Sequence, residues 1–128
     1  MKLVQFGAER GSFAKLSESR DVQALKMTLA PGDESTDSPD NEHRWSEQWL
    51  FVLAGRGQVR IGKTKGRLHS YPLRKGSLLL VEKGELHRIR NTGRTRLVTL
   101  NFYVPPAYDQ SGDPLPPNKR RGARRTTG

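Results

Sequence analysis

Apolar residues recur in short runs along this chain, and glycine or proline turns separate the runs. Alternation of apolar and polar positions is typical of half-buried β-strands, because successive side chains point to opposite faces. No long segment carries apolar residues at helical spacing between capping residues. The pattern predicts strands near 2–6, 12–16, 22–29, 48–54, 57–62, 67–73, 77–81, 86–91 and 96–104.

Turn signals separate these strands, among them GRG at 55–57 and GKTKG at 62–66. Many short strands with such punctuation favour an all-β sandwich or barrel over βαβ units. Residues 31–42 predict a long polar loop. The last part of the chain is rich in proline, glycine and charge, with little to bury. We therefore expect a barrel over residues 1–109 and a flexible basic tail over residues 110–128.

One predicted strand, QWLFVLA at residues 48–54, carries apolar side chains on both faces. Such a strand is expected to be covered on both sides, by a second sheet or by a partner subunit. Trp49 and Phe51 lie on the face opposite Gln48 and fit a subunit contact, which predicts a homodimer. The alternative for this face is packing against the amino-terminal strands.

A second predicted strand contains HRIRN, in which His87, Ile89 and Asn91 share one face. Since Ile89 is apolar, that face should point inward and carry His87 with it. Arg88 and Arg90 then face solvent, and the functional alternative for them is an anion groove.

The composition limits the function classes. A chain of 128 residues suits one domain, and the absence of cysteine excludes disulfides, thiolate metal sites and a cysteine nucleophile. No stretch approaches a membrane span of about 20 apolar residues. The start of the chain lacks the pattern of a signal peptide. A cytoplasmic protein without a membrane partner is the expectation.

The net charge of +10 is unevenly distributed. Five basic residues lie at positions 119–125, and residues 61–100 carry ten lysines or arginines against two glutamates. Such a balance attracts anions, although a solvated tail and solvent-facing strand residues are the preferred explanation. No aromatic residues interleave with the basic residues of the tail, so nucleic acid is not an expected partner. Binding of another polyanion through the tail is retained as a functional hypothesis.

The segment GSLLLVEKGELHRIRN, residues 76–91, resembles the second sequence motif of the cupin family. Glu82 stands where that motif has a proline. The residues that match it at the family's spacing are Gly76, Gly84, His87 and Asn91.

WLFVLAGRG resembles the end of the first cupin motif, in which a ligand residue precedes a glycine by several positions. Counting back from Gly55 places Gln48 at the ligand position. HRWSEQW is similar to the HxHSDQW of some small cupins, with Trp45 in place of the second histidine. The resemblance covers roughly residues 22–104 and implies a double-stranded β-helix, the jelly-roll barrel of cupins.

Cupins usually bind a divalent metal through histidines and a glutamate, so the resemblance implies His43, Gln48 and His87 as metal ligands. Such a set can bind Zn, Ni, Fe, Mn or Cu. Glu47 is a candidate extra ligand, although strand alternation points it outward. The alternative is a barrel without a cofactor, in which the inward histidines make hydrogen bonds to amide side chains.

The barrel interior is also a candidate small-molecule pocket. The side chains assigned to it are Trp45, Asn91, Asn101 and Tyr103, with core packing as the alternative for Trp45. Two functions that use the barrel interior remain open beside polyanion binding through the tail. One is a metal-dependent cupin enzyme of dioxygenase, isomerase or decarboxylase type. The other is a non-catalytic cupin that binds a small ligand and has a decayed metal site.

Overall fold

The computed structural model describes residues 1–7, 9, 11–35, 45–109 and 114–115. These residues form β-strands without a helix, so the prediction of an all-β fold is confirmed. Nothing in this part of the chain is a helix that could span a membrane. The strands are β1 Phe13–Glu18, β2 Gln23–Leu29, β3 Glu47–Ala54, β4 Arg56–Gly62, β5 His69–Arg74, β6 Leu78–Val81, β7 Leu86–Asn91 and β8 Leu97–Val104.

The strands form two antiparallel sheets. The larger sheet has the order β1-β2-β8-β3-β6, and the smaller has the order β5-β4-β7. Strands that are distant in sequence are neighbours in the larger sheet, which is the crossover pattern of a double-stranded β-helix. Apolar side chains from both sheets pack between them. This core contains Met27, Leu29, Leu50, Val52, Val59, Ile61, Leu73, Val81, Ile89 and Leu97.

The predicted strand at residues 2–6 is wrong. The first five residues lie outside any strand, and Phe6 begins a turn. The sequence alternates as a strand does, but its backbone has no place in the hydrogen-bonded ladders of either sheet. Side chains hold this segment instead: the Phe6 ring lies 4.9 Å from Lys26 Nζ, and Glu9 Oε1 lies 3.4 Å from the same nitrogen. The Gly7 amide, as the main cause, and Lys26 lower the pKa of Glu9.

A glycine of the first motif occupies a position that only glycine fits. Gly55 has a φ of 86°, and a Cβ added there would lie 2.3 Å from the carbonyl oxygen of Arg96. Both the left-handed backbone and the close approach of β8 exclude a side chain at this β3–β4 turn.

The turn between β6 and β7 explains why Glu82 replaces the proline of the second motif. The Glu85 amide donates to the Glu82 carbonyl at 3.1 Å, and Gly84 has a φ of 85°. In addition, the Glu82 amide donates to Glu85 Oε1 at 2.8 Å. A proline at position 82 would have no amide proton to donate to Glu85. This chain therefore stabilises the turn with a hydrogen bond, whereas the family's motif has the rigid ring of proline there.

The first residues of the segment between β2 and β3 run along the smaller sheet. The Ser35 amide donates to the Ile89 carbonyl at 2.8 Å, and the Asn91 amide donates to the Asp33 carbonyl at 2.9 Å. Residues 32–35 therefore cover the free edge of β7. The boundary between barrel and tail stays a prediction, because most of residues 110–128 lie outside the described residues.

Candidate functional site

Polar side chains occupy one end of the barrel interior. Gln23 of β2 pairs with Tyr103 of β8, and Tyr103 also pairs with Gln48 of β3. Gln48 in turn pairs with Val81 of β6. Residues directly opposite in antiparallel strands share a face, so these four side chains form one row on the inner face of the larger sheet. The adjacent row, two residues further along the strands toward the middle of the barrel, includes Asn101.

Gln23 is fixed by its own hydrogen bonds. Its Oε1 accepts the amides of Ala107 and Tyr108, both at 3.1 Å. Its Nε2 donates to the Tyr108 carbonyl at 2.8 Å and to Glu18 Oε1 at 2.7 Å. The side chain is fully buried and ties the segment after β8 to this end of the barrel.

Gln48 and Asn101, by contrast, present buried polar atoms that no described residue bonds. Gln48 is 2% exposed, and its Oε1 lacks a hydrogen-bond donor within the described chain. Asn101 is fully buried and accepts a bond from Thr99 Oγ1 at 3.2 Å, but its Nδ2 has no acceptor there. Ser46 Oγ is also buried and has no hydrogen-bond partner among the described residues. Such atoms cost about 1–3 kcal/mol each unless something else bonds them.

His87 enters the interior from the opposite sheet. It lies on β7, directly opposite Ile61, and is 7% exposed, as the alternation in HRIRN predicts. A short turn joins β7 to β6, and β6 ends at Val81, the strand partner of Gln48. His87 and Gln48 therefore lie at the same end of the barrel.

The complete metal set cannot be assembled from the described residues. His43 lies outside them, and they contain no cluster of three or more histidine, cysteine, aspartate or glutamate side chains with metal-binding geometry. Of the predicted ligands, the structure brings an imidazole and an amide oxygen to one end of the barrel. The unbonded oxygen of Gln48 fits a cation, and a third ligand would have to come from the loop that contains His43.

Glu47, the candidate extra ligand, faces away from the interior. β3 is regular at its start, with Glu47 opposite Val104, so its side chain is on the face opposite Gln48. There its Oε1 accepts the indole proton of Trp49 at 3.0 Å.

Asn91, one of the predicted pocket residues, is not brought together with the others. It lies four residues beyond His87 on β7, roughly 13 Å along the strand. Its Nδ2 donates to the carbonyls of Leu29 and Thr95, and its Oδ1 accepts the Gly93 amide at 2.8 Å. The amide of this motif residue therefore fixes the β7–β8 turn at the far end of the barrel.

The other predicted pocket residues differ in their burial. Asn101 and Tyr103 are buried on the inner face of β8. The Tyr103 ring meets the Tyr108 ring edge to face, with 5.1 Å between centroids. Trp45 is 46% exposed just before β3, so it does not plug the core.

Sequence reasoning missed Gln23, Ser46 and Thr99 at this end of the barrel. Gln23 has the same parity as the buried Leu25 in β2, and Thr99 has the same parity as the buried Leu97 in β8. This two-residue spacing could have indicated that both side chains point inward. Ser46 precedes the strand, so it carried no periodic signal.

Comparison with known proteins agrees with this geometry. The family model for the cupin domain matches residues 25–103. The uncharacterized protein YrkC of Bacillus subtilis is 35% identical over 63 residues, which are 48% of this chain and 34% of that protein. The chain thus matches only about a third of the length of this curated relative.

Solved structures share the fold. The crystal structure of BH2720 from Bacillus halodurans has a TM-score of 0.73 at 23% identity, over 93% of this chain and 86% of that one. CapF from Staphylococcus aureus, solved with the inhibitor 3-isopropenyl-tropolone, has a TM-score of 0.67 at 22% identity, over 87% of this chain and 33% of CapF. With its two sheets, motif glycines and inward His87, this chain belongs to the cupin family.

Proposed function

We propose that the polar end of the barrel binds a small polar molecule. The observation that carries this proposal is a pair of buried atoms without a hydrogen-bond partner among the described residues, the acceptor Gln48 Oε1 and the donor Asn101 Nδ2. Gln48 lies opposite Tyr103, two positions from Asn101 along β8, so the two residues are diagonal neighbours whose Cα atoms lie about 7–8 Å apart. A ligand with its own donor and acceptor groups can bridge that span.

The apolar surroundings support a ligand of limited size. Leu50 and Val81 lie beside the two amides on the inner face, and both are fully buried. Pockets of this kind combine an apolar lining with a few polar groups that fix orientation. A hydroxy acid, an amide or another small metabolite with adjacent polar groups has the chemistry that the site requires.

A divalent metal is the second candidate for the same place. Gln48 Oε1 and His87 would hold it together with His43, and the metal would then act as a Lewis acid toward a bound ligand. We rank the metal second because Asn101 Nδ2 is a hydrogen-bond donor and cannot coordinate a cation. A metal bound to Gln48 would therefore leave this donor without an acceptor. The chain's activity, if catalytic, would be that of a metal-dependent cupin enzyme.

The test is ligand-dependent thermal stabilisation of the full chain. A panel of small hydroxy acids, amides and sugars should contain a compound that raises the Tm, and Gln48→Met with Asn101→Leu should abolish that rise. Gln5→Met, which removes an exposed amide from the segment before β1, is the matched control and should keep it.

Two outcomes contradict the proposal. One is a panel without any stabilising compound, and the other is a ligand whose effect survives both interior substitutions. Metal analysis separates the second candidate: protein purified without a nickel column should bind Fe, Mn, Ni, Zn or Cu in a manner that His87→Ala abolishes.

We also propose that the chain forms a homodimer through the outer face of the larger sheet. Trp49 and Phe51 are each 37% exposed, and Leu78 beside them is 63% exposed. The strand register places them in two adjacent rows across β6, β3 and β8. This outer apolar face consists of Trp49, Phe51, Leu78, Leu80, Leu100 and Phe102.

A second copy of the chain can occupy this face despite the positive charge that both copies carry. Two chains of net charge +10 repel each other, so they associate best through a face that carries no cation. None of the six residues of the outer apolar face is charged. A two-fold contact places the same surface of each copy against the other, which requires only that the face be self-complementary.

A further inference from the structure

The outer face of the smaller sheet carries arginines on all three strands. Arg60 of β4 lies directly opposite Arg88 of β7, and Arg56 of β4 lies directly opposite Arg74 of β5. Like charges directly opposite each other destabilise a sheet. Two such pairs on one small sheet make its outer face a surface that attracts anions.

The carboxylate of Glu34 supplies part of that compensation. Glu34 bridges to Arg90 across the edge of β7, which puts its side chain on the same outer face. Its Oε2 forms an ion pair with Arg88 Nη2, and its Oε1 lies 3.9 Å from Arg90 Nε. Arg56, Arg60 and Arg74 have no ion pair with any described acid.

The surface between these side chains is concave. Glu34, Gln58, Arg60, Arg88 and Arg90 line a depression of about 210 Å³. The guanidinium of Arg88 is incompletely bonded, since its Nε is buried without an acceptor among the described residues. The arginine depression, as we call it, thus combines three guanidinium groups with one side-chain amide.

We propose that the arginine depression binds a small anion that carries phosphate groups, which compete with Glu34 for Arg88 and Arg90. Guanidinium groups match phosphate and carboxylate oxygens with paired hydrogen bonds. A ligand that carries more charge than one carboxylate competes better with the carboxylate of Glu34. A phosphate monoester carries about −1.5 to −2 at pH 7, which meets that condition.

The shape of the site favours a small ligand over a nucleic acid. The depression is bounded on one side by the segment that carries Glu34, whose carboxylate would repel a continuing phosphate backbone. The described residues that line it include no aromatic side chain on which a base could stack. This site is separate from the barrel interior, because Arg60 and Arg88 alternate with the inward residues of the same strands.

Calorimetric titration of the full chain with inorganic tripolyphosphate at low ionic strength tests the proposal. The double variant Arg60→Gln/Arg88→Gln should weaken binding by about tenfold or more. The double control Lys15→Gln/Arg20→Gln removes the same two charges from β1 and the β1–β2 turn of the other sheet, and should change the affinity by less than about twofold.

Glu34→Gln gives an independent test, because it removes the internal competitor and should strengthen binding by several-fold. Equal affinities for the parent and the double variant would overturn the proposal, and so would a weaker Glu34→Gln variant. A duplex DNA that binds through Arg60 and Arg88 while tripolyphosphate fails to bind would also overturn it, in favour of a nucleic-acid surface.

Discussion

The side chain of Asn91 donates a hydrogen bond to the backbone carbonyl of Leu29, 62 residues earlier in the chain, at 2.8 Å. This bond joins the smaller sheet to the larger one at the end of the barrel remote from the polar row. Together with the bonds to Thr95 and Gly93, it gives the last residue of the second cupin motif a structural role in this chain.

Asn91→Leu should therefore lower the free energy of unfolding by about 2–4 kcal/mol, because two carbonyls and one amide lose a buried partner. Urea denaturation measures this. Asn101→Leu is the control, since Asn101 is equally buried but its Nδ2 has no described acceptor. Equal losses for the two variants would contradict the structural role of Asn91.

Gly55→Ala should destabilise the fold more than Gly76→Ala. Both glycines have positive φ, which costs an alanine about 1–2 kcal/mol. At Gly55 the new Cβ also meets the Arg96 carbonyl, whereas at Gly76 the space is open. We expect Gly76→Ala to cost about 1 kcal/mol and Gly55→Ala several, measured by thermal unfolding. A similar cost at both positions would show that β8 moves away easily.

Gln48→Met should raise the free energy of unfolding of the ligand-free protein by about 1 kcal/mol. Methionine fills a similar volume and removes a buried oxygen that no described donor satisfies. Such a gain is expected where a residue is kept for binding at a cost in stability. Chemical denaturation of chelator-treated protein gives the measurement, and a clear loss of stability would indicate that Gln48 makes structural hydrogen bonds instead.

Trp49→Lys should convert the proposed dimer into a monomer, because it places a cation at the centre of the outer apolar face. Analytical ultracentrifugation over a range of concentrations gives the molar mass. Tyr71→Lys is the matched control, since Tyr71 is 54% exposed on the other sheet. A parent protein that is monomeric at every concentration would contradict the dimer, and so would a Trp49→Lys variant that remains dimeric.

Much of the fold could be predicted from the sequence, because alternation is a local property. The alternation of apolar and polar residues correctly predicts the strand that carries Gln48 and the inward direction of His87. The same logic failed for residues 2–6, since alternation does not say whether a neighbouring strand is available.

The parts of the site that could not be predicted depend on register between distant strands. Nothing local in the sequence says that Gln23 would bond to the backbone of Tyr108 or that Glu34 would reach Arg88. The same holds for Gln48 and Asn101: each is an ordinary amide in an alternating strand, and only the pairing of β3 with β8 makes them neighbours.

The bonds that Gln23 makes to Ala107 and Tyr108 fix the segment after β8 beside the polar row. Asp109 follows directly, so any peptide continuing from it starts beside the row that holds Tyr103 and Gln48. A fluorophore or spin label introduced shortly after this anchor would sense occupancy of the interior from close by. A label attached next to the anchor should be small, since a bulky group there would lie against the same row.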